Sequence, residues 1–193
     1  DRRPVTVHIA GVAMNNRYTR REQLGMLGAA LALPGLQPGR RQSGAAPGGK
    51  AMRGAFMILH TPFTDTRDVD WDDLVRELLF VDRCGAQGAV WPQGSSSVAS
   101  LTKPERMRGM EALAQAARGL RVTLALGVQG ADTAEMLEYA RHAEALGADA
   151  LIAMPPTMAS SLEDYRAYFR ALGRVTSRPV IVQTSGGARD LVP

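Results

Sequence analysis

Apolar residues follow two alternating rhythms from about position 54 onward. Short continuous runs occupy 55–59, 89–91, 122–128, 150–154 and 180–182. Between them lie longer stretches in which apolar residues recur at i, i+4 and i+7, as in Leu74, Leu78 and Val81, or Met136, Ala140 and Ala143. The first rhythm predicts strands buried on both faces, the second amphipathic helices with one stripe toward a sheet. Runs starting at 89, 122, 150 and 180 are 33, 28 and 30 residues apart, room for one strand and one crossover helix per unit.

The punctuation agrees. Each predicted helix opens on a side chain able to accept from a free backbone N–H, with an acid three residues on: Asp70 with Asp73, Thr102 with Glu105, Asp132 with Glu135, Ser160 with Glu163. Each is expected to end near a glycine, at Gly85, Gly119, Gly147 and Gly173. This is the grammar of parallel α/β structure, which closes into a (β/α)8 barrel or stays open as a doubly wound sheet. No Gly-x-Gly-x-x-Gly follows a strand, which counts against a dinucleotide-binding sheet. The glycines at 44–49 lack the Lys-Ser/Thr pair of a phosphate loop.

Upstream the pattern changes. Arg17, Arg20 and Arg21 precede an uncharged apolar stretch at 24–33, and Ala30-Leu31-Ala32 supplies small residues of the kind signal peptidase cleaves. Thr19-Arg20-Arg21-Glu22-Gln23-Leu24 resembles the twin-arginine export motif, so 14–36 is expected to be a signal peptide and the protein periplasmic or extracellular. The apolar stretch is too short to span a bilayer, so no stable membrane span is expected. Residues 1–13, ahead of Met14, read as upstream sequence without a structural role. The Gly, Pro and Ser of 37–53 read as a disordered linker into a body at 54–193.

Charge then reads differently. The chain is formally +4, but nine of its 23 Lys and Arg lie before residue 54 with only two of its 19 acids, leaving 14 basic and 17 acidic residues in the body. A nucleic-acid binder carries its positive charge on the folded part, so nucleic acid is not an expected partner. The single cysteine, Cys84, excludes an internal disulfide and a multi-cysteine zinc site, and is expected to pack as a small apolar residue.

Four landmarks give the body a family likeness: Thr61-Pro62-Phe63 after the first strand; 94–101 with Thr102-x-x-Glu105-Arg106 after the second; Leu126-Gly127-Val128 before Asp132-Thr133-Ala134-Glu135; and Pro155 after the fourth. In their order they resemble the dihydrodipicolinate synthase and N-acetylneuraminate lyase family, class I aldolases on a (β/α)8 barrel, with about five βα units present here. The resemblance implies a lyase in which a sixth-strand lysine forms a Schiff base with pyruvate or a related 2-oxo acid, without a cofactor or metal, in a homo-oligomer. Burial of such a lysine lowers its pKa and frees the amine to attack a carbonyl. Of the two lysines, Lys50 falls in the linker and Lys103 in the first turn of a surface helix, so the expected position lies beyond Pro193. The family's Gly-Thr-Thr-Gly-Glu loop, which holds the keto-acid carboxylate, is matched by Gln93-Gly94-Ser95-Ser96-Ser97, making Ser95, Ser96 and Thr61 the expected substrate-binding residues. The two family tyrosines align with Gln183 and Thr157, neither of which titrates near neutral pH, so synthase activity proper is not expected.

Two other readings stand beside the aldolase. One is a non-catalytic partial barrel that binds a small carboxylate or self-associates through its open edges. The other is an unrelated α/β enzyme, whose strand order would differ from a barrel's. His60, ending the first strand, is expected to be structural, and His142 solvated, since spacing pairs neither with an acid. With no Gly-x-Ser-x-Gly elbow around 95–97, a serine hydrolase is not expected. Trp71 and Trp91 are expected to pack, with Trp91 also placed to wall a pocket.

Overall fold

The structure is a computed structural model that describes residues 8–9, 12–13, 50 and 52–183. The chain divides into two units, Asp1–Gln42 and Ser43–Pro193. In the first, strands β1 (His8–Ile9) and β2 (Val12–Ala13) form a short antiparallel pair with Ile9 opposite Val12. The expected signal segment at 14–36 and nearly all of the linker lie outside the described residues.

The second unit holds five strands, β3 (Phe56–Ile58), β4 (Gly88–Trp91), β5 (Thr123–Gly127), β6 (Ala150–Ala153) and β7 (Val180–Val182). They alternate with helices α1 (Trp71–Arg83), α2 (Lys103–Ala116), α3 (Thr133–Leu146) and α4 (Leu162–Val175). All strand pairs are parallel and the order is β3-β4-β5-β6-β7. That order decides between the two α/β outcomes. A doubly wound sheet reverses direction partway, whereas a sequential order with right-handed crossovers sets every helix on one face. Here α1 packs on α2, α2 on α3 and α3 on α4, and the five strands and four helices form a partial (β/α)8 barrel wall.

Alternation within the strands sorts residues to two sides. Ala89, Trp91, Leu124, Leu126, Leu151 and Ala153 face outward into a core with Leu74, Leu78, Met110, Leu113, Met136, Tyr168 and Leu172 from the helices. Val90, Ala125, Ala150 and Ile152 face inward, joined by Met52, Phe56, Ile58 and Ile181. Close packing explains two glycines. A Cβ on Gly88 would lie 2.1 Å from the Phe56 ring, and one on Gly109 of α2 would lie 2.2 Å from the Trp91 indole.

The caps form largely as expected. Asp70 and Asp132 accept from the backbone N–H of Asp73 and Glu135, each at 2.9 Å. Thr102 and Glu105 form a reciprocal capping box, and these hydrogen bonds from Thr102 hold the Glu105 carboxyl below its ordinary pKa. The fourth pair moves by one residue. Ser161 caps α4 and Asp164 reaches back to it at 2.9 Å, because Asp164, not Glu163, stands three residues after the capping hydroxyl. Gly147 caps α3 with φ +77°, but Gly173 lies inside α4, which continues to Val175.

Two further expectations are corrected. Cys84 is exposed, because the helix C-cap it occupies turns away from the core. Lys50 belongs to the folded body, donating to Val122 O at 2.7 Å and pairing with Asp149 at 3.3 Å, so the body begins before position 54.

Candidate functional site

In a parallel barrel wall the side chains able to meet a ligand cluster where the strands end. Three polar clusters occupy that end of the sheet.

The first joins β3 to the loop after β4. The Thr61 hydroxyl donates to Ser96 O at 2.5 Å and accepts from Trp91 Nε1 at 3.0 Å. The Ser96 hydroxyl donates to Leu59 O at 2.6 Å and accepts from Gln93 N at 3.0 Å. A hydroxyl has one proton, so both donors are already committed to backbone carbonyls. Thr61 and Ser96, both buried, latch the end of β3 to the serine loop. Ser95 is exposed and has no hydrogen-bond partner among the described residues, which leaves its proton free. Ser97 follows with φ +55°, turning the chain between two short 3-10 turns. Trp91 is fully buried on the outer side against α2, so it packs and does not wall the inner mouth.

The second cluster lies over the inner face. A Cβ on Gly127 would meet Pro92 O at 1.9 Å and Gln129 Oε1 at 3.1 Å. Gly127 follows inward-facing Ala125 by two residues, so these oxygens lie above the inner surface of β5. Gln129 Nε2 donates to Pro92 O at 3.0 Å, and Gln93 Nε2 donates to Gln129 Oε1 at 3.1 Å. Both glutamines are buried.

The third cluster grips the same loop from outside. Arg106, on α2, donates through Nη2 to Gln129 O at 2.8 Å and to Gly127 O at 3.4 Å, and its guanidinium lies 3.7 Å from the Tyr139 ring centroid. Burial lowers the Arg106 pKa against the opposing pull of nearby Tyr139 and Glu135. No carboxylate lies within ion-pair distance of it among the described residues, so the aromatic face and the two carbonyls carry the compensation. Tyr168, on α4, accepts from Gly130 N at 3.0 Å, and burial pushes its pKa up to about 12. Burial raises Tyr139 as well. Both phenols therefore stay neutral at ordinary pH.

Other residues singled out by sequence fall apart from these clusters. His60 is exposed, but its backbone N–H donates to both carboxylate oxygens of Glu77, and its Nδ1 lies 3.6 Å from Glu77 Oε1. His142 lies between helices, 3.3 Å from Glu111 Oε1. Each therefore has the acid partner that sequence spacing could not reveal. Thr157 is exposed after β6. Gln183 continues the β7 pairing by donating its N–H to Ala153 O at 3.0 Å, while its Oε1 is buried without a partner among the described residues. Lys50 sits at the opposite end of the sheet, beside the starts of β5 and β6, and Lys103 pairs with Glu138 on the helix surface.

Sequence reasoning missed Arg106, Tyr139, Tyr168 and Gln129 as parts of one arrangement. A signal existed for the arginine: it shares the i, i+4, i+7 face of Met110 and Leu113, where a charged residue has no place unless it is engaged. Chemically, the strand ends offer amides, hydroxyls and backbone groups, with His60 at the rim. Such groups are suited to hydrogen-bonding a polar ligand and, among the described residues, include no side chain placed for nucleophilic attack.

The dihydrodipicolinate synthetase family model matches residues 51–185. The chain is 34% identical over 131 residues to 4-hydroxy-tetrahydrodipicolinate synthase of Phenylobacterium zucineum, covering 67% of this chain and 44% of that protein. Among solved structures, a dihydrodipicolinate synthase from Agrobacterium tumefaciens superposes with TM-score 0.62 at 28% identity, over 67% of this chain and 44% of that one. A prophage protein of the dihydrodipicolinic acid synthase family from E. coli K12, solved in complex with pyruvate, superposes with TM-score 0.64 at 20% identity, over 68% and 45%. The chain thus spans a little under half the length of these relatives.

Proposed function

This chain belongs to the dihydrodipicolinate synthetase family, and on that premise we propose that residues 50–183 form the substrate-binding wall of a lyase acting on pyruvate or a related 2-oxo acid through a Schiff base. What supports this reading is one coincidence. The loop that family resemblance assigns to the keto-acid carboxylate lies at the strand ends, with its shape latched from below and one serine proton unspent. In this reading the Ser95 hydroxyl and backbone N–H groups of the loop receive the carboxylate, while Thr61 and Ser96 keep the loop in shape. The Schiff-base lysine is neither Lys50 nor Lys103 and is supplied by sequence beyond Pro193 in the complete enzyme. Gln183 and Thr157 stand where the family carries tyrosines and transfer no proton near neutral pH, so the reaction is a related lyase step and not the synthase reaction itself.

Borohydride trapping with pyruvate, read by intact mass, tests this on the chain and on a version extended through the downstream reading frame. An adduct on the extended form alone is the expected result, and no adduct on either removes the Schiff base. On the same proteins Ser95→Ala is expected to weaken pyruvate binding about tenfold, the worth of one hydrogen bond to a charged group.

Export and assembly complete the proposal. If 14–36 acts as a twin-arginine signal, a pre-folding reporter fused to it reaches the periplasm, and Arg20→Lys with Arg21→Lys abolishes transport. Retention of the unaltered fusion in the cytoplasm removes the idea. For the chain by itself, homo-oligomerisation is motivated by half-exposed Met57 on β3 and Val182 on β7, the two edge strands of the described sheet, which further strands would cover in the complete enzyme. A monomer in sedimentation equilibrium would remove it.

A further inference from the structure

The inner amide pair has a direction, and chemistry sets it. Pro92 O can only accept, so Gln129 must turn its NH2 toward it, at 3.0 Å. That leaves Gln129 Oε1 facing Gln93, which must in turn present its own NH2, at 3.1 Å. Flipping either amide would oppose two oxygens. The relay therefore ends on Gln93 Oε1, a buried acceptor with no partner among the described residues. Orphaned acceptors in protein interiors are rare and costly, and the amide that carries this one meets Gln129 over the inner face at the strand ends, on a residue whose backbone N–H bonds Ser96 of the serine loop.

We propose that Gln93 is a specificity-determining residue whose Oε1 accepts an O–H or N–H from the bound ligand, with Gln129 and Pro92 O as the positioning relay that aims it. The inference rests on the 2-oxo-acid reading above and refines it. A 2-oxo acid that also carries a hydroxyl satisfies the acceptor, whereas one offering only oxygen acceptors leaves it unpaired. A site built to receive a hydroxyl discriminates strongly against the analogue lacking it, because the buried partner is then stranded.

The test is calorimetric binding of hydroxypyruvate and of pyruvate to the full chain, to Gln93→Met and to Gln129→Met. The unaltered protein is expected to bind hydroxypyruvate at least about tenfold more tightly than pyruvate. Gln93→Met brings the ratio to about one by weakening hydroxypyruvate alone. Gln129→Met, which keeps the acceptor but frees its amide to turn, lowers the ratio part of the way. Equal binding of the two acids to the unaltered protein, or a ratio that survives Gln93→Met, overturns this inference and leaves the 2-oxo-acid reading standing. Binding of neither acid overturns both. Circular dichroism reports whether each variant is folded, and should Gln93→Met not fold, the unaltered ratio and Gln129→Met decide.

Discussion

The two sides of the loop after β5 are built from different chemistry. Outside, Arg106 and Tyr168 hold the backbone of Gly127 to Gly130 while Tyr139 stacks on the Arg106 guanidinium, so that a buried cation and two neutral phenols come from three helices. Inside, Gln93 and Gln129 meet over the same loop through amides alone, and one acceptor is left open. The contrast teaches a division of labour. Arg106 and Tyr168 are spent on fixing the loop, and the inner side is left with amides, which can hydrogen-bond but do not transfer protons near neutral pH.

Three perturbations probe that division, the largest first. Trp91→Ala is expected to cost about 3–5 kcal/mol, because it empties an outer-core site shared with Gly109 and strips the Thr61 hydroxyl of its donor. Chemical denaturation measures it, and a cost below that of an ordinary surface substitution would mean that the outer core does not carry the fold. Arg106→Met is expected to cost roughly 1–3 kcal/mol by stranding the Gln129 and Gly127 carbonyls. Arg106→Lys should not restore it, since a single ammonium cannot reproduce the flat guanidinium stacked on Tyr139 while also reaching both carbonyls. Full rescue by lysine would show that charge, and not clasp geometry, is what the loop needs.

The smallest effect lies away from the loop and serves as its control. Thr102→Ala should cost about 1 kcal/mol by removing the cap of α2. It should also remove a pH dependence. The Glu105 carboxyl is held below its ordinary 4.5 by hydrogen bonds from Thr102, so its stabilisation is complete above that value and is lost as pH falls through the lowered one. Denaturation midpoints of the two proteins should therefore converge as the solution is acidified below about 4.5. Parallel curves would place the pH effect elsewhere.

Much of the architecture was legible beforehand because its signals are local. The five apolar runs each mark a strand, with β4 starting one residue earlier than its run at Gly88, and three of the four expected caps, at Asp70, Thr102 and Asp132, are the observed ones. The fourth slipped to Ser161 because two adjacent serines offer the same hydroxyl and only the acid's reach separates them. At the candidate site, the position of Ser95, Ser96 and Thr61 was legible and their use was not. Nothing in 93–97 reveals that Thr61 and Ser96 spend their protons on Ser96 O and Leu59 O. Nor could spacing pair His60 with Glu77, since the pairing needs α1 folded back along β3.

What the sequence determined by itself was the kind and order of elements, their caps, and the faces that must be buried. Each depends on residues within a turn or two of one another, where backbone hydrogen bonding and side-chain periodicity act directly. Only the tertiary structure decided that the strands run in sequential order as a barrel wall, that Arg106 clasps a loop 23 residues onward, and that Gln93 meets Gln129 across 36. Those contacts join segments whose separation carries no local signal, and they form because a buried amide or guanidinium must find a partner wherever the packed helices and strands bring one within reach.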